Sequence, residues 1–288
     1  MIALVFPGQG SQKVGMGQAI SESFAGAEAL WQTAGEILGY DLQKICYEGP
    51  AETLQNTLYA QPALLTVGVL HARNAQISAQ MTAGHSLGEY TALVAAGALE
   101  FGDALRLVKR RAQLMSQAPD GAMAALIGLP DEKLDAVLAQ AGQNGTLVAA
   151  NFNSPGQVVV SGAPSAVEAV LGIAKENGAK IAVRLPVSGA FHSPLMTEAG
   201  EEMAQLIEEA PFQNAQIPVF QNTTAQPATD ASELKAALKP QMTGAVLWSQ
   251  SVQNMISHGA TQFVELGPGN VLTGLVKRID KSVSLQNL

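Results

Sequence analysis

Apolar positions along the chain follow two patterns. A short unbroken apolar run, residues 2–6, ends at Pro7 and Gly8 and reads as a buried strand of a parallel sheet, and residues 262–266 read as a further strand ending at Gly267. Longer stretches repeat apolar residues every three or four positions and read as helices with one inward face. Residues 20–38 predict one such helix, with Ala27, Leu30, Trp31, Ala34 and Leu38 inward and Gly39 as its stop. Gln61-Pro62-Ala63 predicts the opening of another, with Pro62 in the first turn. Residues 103–117 predict a third, capped by Asp103. Ala104, Val108, Arg111 and Met115 share its apolar stripe, so a cation is carried on a face that expects none.

Residues 123–187 change the rhythm. A strand over 123–129, a helix over 130–141 and strands over 147–153 and 157–161 about Ser154-Pro155-Gly156 come first. A helix over 165–175 and a strand over 179–187 follow. The order β-α-β-β-α-β is that of a ferredoxin-like unit. We therefore expect an α/β fold in which residues 1–118 and 191–288 form the large body, with a parallel central sheet. Residues 119–190 form a small inserted ferredoxin-like subdomain. Beyond it, strands are expected at 217–222 and 262–266, and helices at 195–210, 234–242, 246–258 and 271–278.

Composition narrows the class. Of 288 residues, 47% are hydrophobic and 14% charged, which suits a well-cored soluble protein rather than a disordered one. No apolar run reaches the ~18 residues of a membrane span. Residues 1–6 are too short for a secretory signal and no basic stretch precedes them. The single cysteine, Cys46, has no internal disulfide partner and fits a reducing cytoplasm, as a buried structural residue. A net charge of -8 argues against a nucleic-acid partner.

The chemistry centres on Gly84-His85-Ser86-Leu87-Gly88. G-x-S-x-G holds a serine on a sharp strand-to-helix turn, and the amide after it, that of Leu87, faces the place where an oxyanion would form. Residues 80–83 supply the approach, and Tyr90, Leu93, Val94 and Leu99 the helical spacing after it. Near the N-terminus, Pro7-Gly8-Gln9-Gly10 follows the first strand but matches neither nucleotide-binding glycine pattern. It is either an ordinary tight turn or a loop whose Gln9 amide meets an anion. Arg111 is open between an internal ion pair, a side chain snorkelling to the rim, and a bidentate clamp on a substrate carboxylate. Among His71, His85, His192 and His258, the base is assigned by elimination to His192, which precedes a Ser193-Pro194 helix start. Asn151 and Asn153 read first as turn residues and second as substrate contacts. No His/Cys cluster suggests a metal. A serine–histidine pair oriented by a backbone carbonyl would suffice, and residues 240–245 are the candidate source.

Taken together, FPGQGSQ (6–12), QPALL (61–65), GHSLGEY (84–90), the Arg111 helix, NFNSPGQVVVSG (151–162), AFHSPLM (190–196) and ELGPG (265–269) resemble the malonyl-CoA:acyl carrier protein transacylases of bacterial fatty-acid synthesis. The resemblance implies Ser86 as nucleophile and His192 as base. It implies the Gln9 and Leu87 amides as oxyanion hole and Arg111 as clamp for the malonyl carboxylate. The Gln241 carbonyl would orient the imidazole. It also implies a hydrolase-like body, malonyl-CoA as substrate with no cofactor, and acyl carrier protein as partner. Phe191 lies in what looks like the malonyl-selecting form of the Ala-Phe-His motif of related polyketide acyltransferases, with Gly189 departing from the His often found at the motif's start. A thioesterase, a carrier-docking scaffold and a polyketide acyltransferase are the alternatives. A monomer is expected, with Lys109, Arg110, Lys175, Lys180 and Lys277 as a local basic patch for an acidic carrier.

Overall fold

Strand β1 (Ile2–Phe6) is apolar on both faces because both are covered: Leu4 and Phe6 join one core cluster, Ala3 and Val5 another. The computed structural model describes residues 1–187 and 189–288. The remaining strands are β2 (Met81–Gly84), β3 (Ala122–Ile127), β4 (Leu147–Ser154), β5 (Gln157–Gly162), β6 (Ile181–Arg184), β7 (Val219–Phe220), β8 (Pro227–Ala228), β9 (Gln262–Glu265) and β10 (Ser284–Asn287). Among the described residues they form a six-stranded sheet, β10-β9-β1-β2-β7-β8, and a four-stranded sheet, β4-β5-β3-β6.

In the larger sheet every pairing is parallel except that of the edge strand β8 with β7. Parallel pairing brings the carboxyl ends of neighbouring strands together, which is where ligands bind in open α/β sheets. Phe6 is in register with Gly84, and Ala83 with Phe220. The loop after β1, the turn after β2 and the segment after β7 therefore emerge side by side.

The smaller sheet is antiparallel throughout. Its alternation sorts residues between two cores. Ala122, Ala124 and Leu126 pack under the helices Leu134–Ala141 and Pro164–Glu176, whereas Met123, Ala125 and Val159 join the core of the large body. The open face of this sheet is thus turned to the body. Reciprocal backbone hydrogen bonds, Phe152 N–H to the Val246 carbonyl (2.9 Å) and Val246 N–H to the Ala150 carbonyl (2.8 Å), tie the two together.

Several helix boundaries differ from expectation. Residues 20–38 are two helices, Gln18–Ser23 and Ala27–Leu38. Phe24 turns extended, and its ring lies where a Cβ on Gly26 would stand. Pro62 does not open its helix, which runs Thr57–Ala75 behind an Asn56 cap. Proline deprives the Leu58 carbonyl of its helical donor, and the Tyr40 hydroxyl approaches that carbonyl at 3.5 Å. The next helix starts at Phe101, so Asp103 is not the cap; it lies in the first turn and pairs with Arg106 at 2.8 Å. Residues 130–133 contain a tight 3₁₀ turn before the helix proper, and the strand expected over 179–187 is only β6. Ser188 lies outside the described residues.

Candidate active site

The serine turn is made by contact, not by glycine flexibility. A Cβ on Gly84 would lie 1.9 Å from the Gly88 carbonyl carbon, and one on Gly88 would lie 2.1 Å from the Phe6 oxygen. Only bare backbone allows the helix Gly88–Ala95 to start this close to β1 and β2. Ser86 between them has φ +52°, a left-handed conformation that costs about 1–3 kcal/mol and has to be held by its surroundings.

Two side chains from distant segments hold it. Asn222, just past β7, accepts from the Ser86 amide at 2.7 Å and donates to the Gly84 carbonyl at 2.7 Å. Gln241 donates through Nε2 to the Ser86 carbonyl at 2.9 Å. Asn222 was not singled out from the sequence; it is the last residue of the strand expected over 217–222, and that was the one signal pointing to it. Gln241 was expected only for its backbone carbonyl.

His192, also left-handed at φ +56° and buried, presents Nε2 to the Ser86 hydroxyl at 2.8 Å. Its Nδ1 faces the Gln241 carbonyl at 2.8 Å and the Gly244 carbonyl at 3.2 Å. Carbonyl oxygens only accept, so Nδ1 carries the proton and Nε2 is free to take one from Ser86. Burial, then the positive Arg111, then His85 push the His192 pKa down to about 3, so the ring stays neutral well below neutrality.

Arg111 meets the same hydroxyl from the other side, Nη2 donating to Ser86 Oγ at 3.0 Å. Nη1 donates to Gln61 Oε1 at 2.6 Å and Nη2 also to Gln241 Oε1 at 3.1 Å, with the guanidinium 5.7 Å from the Tyr90 ring centre. Arg111 is 1% exposed, and among the described residues it forms no ion pair. The internal ion pair considered from the sequence is therefore not there. Neutral carboxamides hold the cation without neutralising it, which leaves a buried positive charge facing a cleft.

That cleft, about 480 Å³, is lined by Gln9, Ser86, Leu87, Arg111, Phe191 and His192 among others. Neither the Gln9 nor the Leu87 amide finds a hydrogen-bond acceptor among the described residues. Phe191 is buried on the cleft wall, and its ring stands 2.4 Å from where a Cβ on Gly189 would be, so a larger residue at 189 would displace the ring. Asn153 is not simply a turn residue: its Oδ1 accepts from His85 Nε2 at 2.8 Å, with the His85 ring beside Trp248. His85 thus points away from Ser86 and braces the two sheets. Gln61, buried behind Arg111, reaches the site only through that guanidinium.

The expected basic patch is partly consumed within the fold. Arg110 grips Glu202 at 2.5 and 3.0 Å, and Lys109 donates to the Ile37 carbonyl at 2.7 Å. No helix of the described residues is long and apolar enough to cross a membrane.

Known proteins resemble this chain over nearly its whole length. A malonyl CoA-acyl carrier protein transacylase of Bacillus subtilis is 44% identical over 287 residues, covering 97% of this chain and 90% of that one. The crystal structure of an acyl carrier protein S-malonyltransferase from Vibrio cholerae superposes with a TM-score of 0.96 at 44% identity, covering 100% of this chain and 96% of that one. A type II PKS acyl-carrier protein in complex with its malonyl-transacylase gives 0.96 at 39% identity, covering 100% and 95%. The family model described as an acyl transferase domain matches residues 3–286, and the chain belongs to that family.

Proposed function

We propose that this chain moves a malonyl group from malonyl-CoA to the phosphopantetheine thiol of acyl carrier protein, through a malonyl ester on Ser86, supplying chain elongation in fatty-acid synthesis. The observation that carries the reading is the Ser86 hydroxyl shared between a neutral imidazole at 2.8 Å and an unpaired buried guanidinium at 3.0 Å. A base and a carboxylate-binding cation converge on one oxygen. The named relatives supply the substrate and the carrier.

In the first half-reaction His192 Nε2 takes the Ser86 proton as Oγ attacks the thioester carbonyl. The Gln9 and Leu87 amides receive the oxyanion, each such donor contributing on the order of 10²–10³ in rate. Collapse expels CoA as the thiol, reprotonated by His192, and leaves malonyl-Ser86. Arg111 leaves Ser86 Oγ and pairs with the malonyl carboxylate, with Gln61 and Gln241 keeping its plane fixed. The carrier thiol then gives its proton to His192, attacks the ester and restores Ser86. Phe191 closes the cleft wall beside the acyl group, and Asn153 acts through His85 rather than on the substrate.

For the scaffold, we read residues 1–118 and 191–288 as a hydrolase-like body and 119–190 as a ferredoxin-like insert. Supporting this are the parallel sheet with its serine turn after β2, and the all-antiparallel order β4-β5-β3-β6. Cys46 is buried and unpaired, in keeping with the cytoplasm.

The test is intact mass after mixing with malonyl-CoA. A malonyl adduct on Ser86 that persists without acceptor and is discharged by the carrier's thiol is expected. Prompt release of free malonate with no carrier present would make the protein a hydrolase instead.

A further inference from the structure

The turn that carries Ser86 is held by Asn222 and Gln241, and both of these are held in turn by one buried carboxylate. Glu89 is wholly buried; its Oε1 accepts from the Asn222 amide at 3.2 Å and its Oε2 from Gln241 Nε2 at 2.6 Å. It forms no ion pair among the described residues. Gln241 Nε2 spends its two hydrogens on Glu89 Oε2 and the Ser86 carbonyl, which leaves Oε1 for Arg111. The amide has only this one orientation that satisfies all three neighbours, and it is set by an ionised Glu89, which accepts and cannot donate.

We infer that Glu89 is a positioning residue for Ser86 and Arg111, acting through Asn222 and Gln241 as an acceptor-only anchor, and that the nucleophile is fully reactive only while this carboxyl is ionised. A proton on either oxygen faces a donor, the Asn222 N–H or the Gln241 amide, and one of the two holds on the left-handed Ser86 is lost. Replacing the carboxyl by a carboxamide places an NH₂ against one of the same two donors whichever way it turns.

The groups around Glu89 leave its titration isolated. Arg111, from the helix Phe101–Ser116, stays cationic, since burial lowers it from a starting value far above neutrality and Tyr90 and Glu89 oppose that fall. Tyr90, the next residue on its own helix, is pushed up to about 12 by burial. His192 is held down to about 3, and His85 is also lowered by burial. Burial pushes the Glu89 carboxyl up to about 7, against the hydrogen bonds from Gln241 and Asn222 and the charge on Arg111.

The inference rests on Ser86 being the nucleophile of the reading above, yet its test uses no malonyl group and so fails separately. The probe is a fluorophosphonate. Ser86 Oγ bonds to phosphorus, fluoride leaves with the P–F electron pair, and the hydroxyl proton goes to His192. Labelling of Ser86 is followed by intact mass from about pH 6 to about pH 8.5, on either side of the Glu89 titration. In the wild type the rate should rise with pH along a single ionisation near 7. In Glu89→Gln it should be flat across that range and about ten- to a hundredfold below the wild-type upper plateau, the loss of one hydrogen bond to a charged group. A Glu89→Gln enzyme that keeps the wild-type pH dependence overturns the inference, whatever its absolute rate, because a packing defect lowers the rate without changing its titration. If that variant does not fold, the wild type decides. The infrared carbonyl band of a buried protonated carboxyl must disappear in step with the gain in labelling rate, and a band that titrates out of step overturns the inference.

Discussion

Ser86→Ala is expected to abolish the malonyl adduct and reduce carrier malonylation on the order of 10⁴-fold or more, to what bound but unactivated substrate sustains. The variant should remain folded. Alanine meets the same left-handed backbone as serine, and the Asn222 and Gln241 bonds go to main-chain atoms that the substitution leaves in place. What it removes is the one oxygen on which His192 and Arg111 converge. Carrier malonylation measured by mass, alongside a thermal melt within a few degrees of wild type, checks both halves. His192→Ala should cost less, about 10²–10⁴, because the oxyanion donors and Arg111 remain. A fully active Ser86→Ala protein would make the chain a carrier-binding module rather than an enzyme.

Arg111→Ala should separate malonyl from acetyl transfer. In the intact site an acetyl group leaves the guanidinium buried with carboxamides alone for partners, whereas a malonyl carboxylate neutralises it. Truncating one partner of such a buried pair costs about 2–5 kcal/mol, so kcat/KM for malonyl-CoA should fall roughly 30- to 4,000-fold. Acetyl-CoA should lose little or gain. The ratio of the two kcat/KM values is the measurement, and equal losses would reduce Arg111 to a structural residue. No carboxylate bonds it directly in the fold, and Glu89 acts on it only across the Gln241 amide, so a purely structural role would leave a buried charge without a bonded counter-ion.

The serine turn was legible because it is local. Gly84 and Gly88 are demanded by contacts within five residues of each other and with β1, and any chain making that turn meets the same crowding. Arg111 was visible as a cation on an apolar stripe, though periodicity alone could not say what it faced. The broken helix at residues 24–26 and the internal Pro62 were not legible, because each depends on a partner that sequence order hides. For Pro62 that partner is the Tyr40 hydroxyl near the orphaned Leu58 carbonyl.

Most of the elements, the β-α-β-β-α-β order of residues 123–187 and the candidacy of Ser86 and His192 were thus legible in short-range pattern: periodicity, turn sterics and the few residue types able to act. Tertiary structure alone decided that Asn222, Gln241 and Glu89 would converge on Ser86, and that Arg111 would be bonded by carboxamides rather than by a carboxylate. Hydrogen bonds between residues more than a hundred positions apart leave no periodic trace in a chain. They exist because parallel strands bring their carboxyl ends to one edge of a sheet.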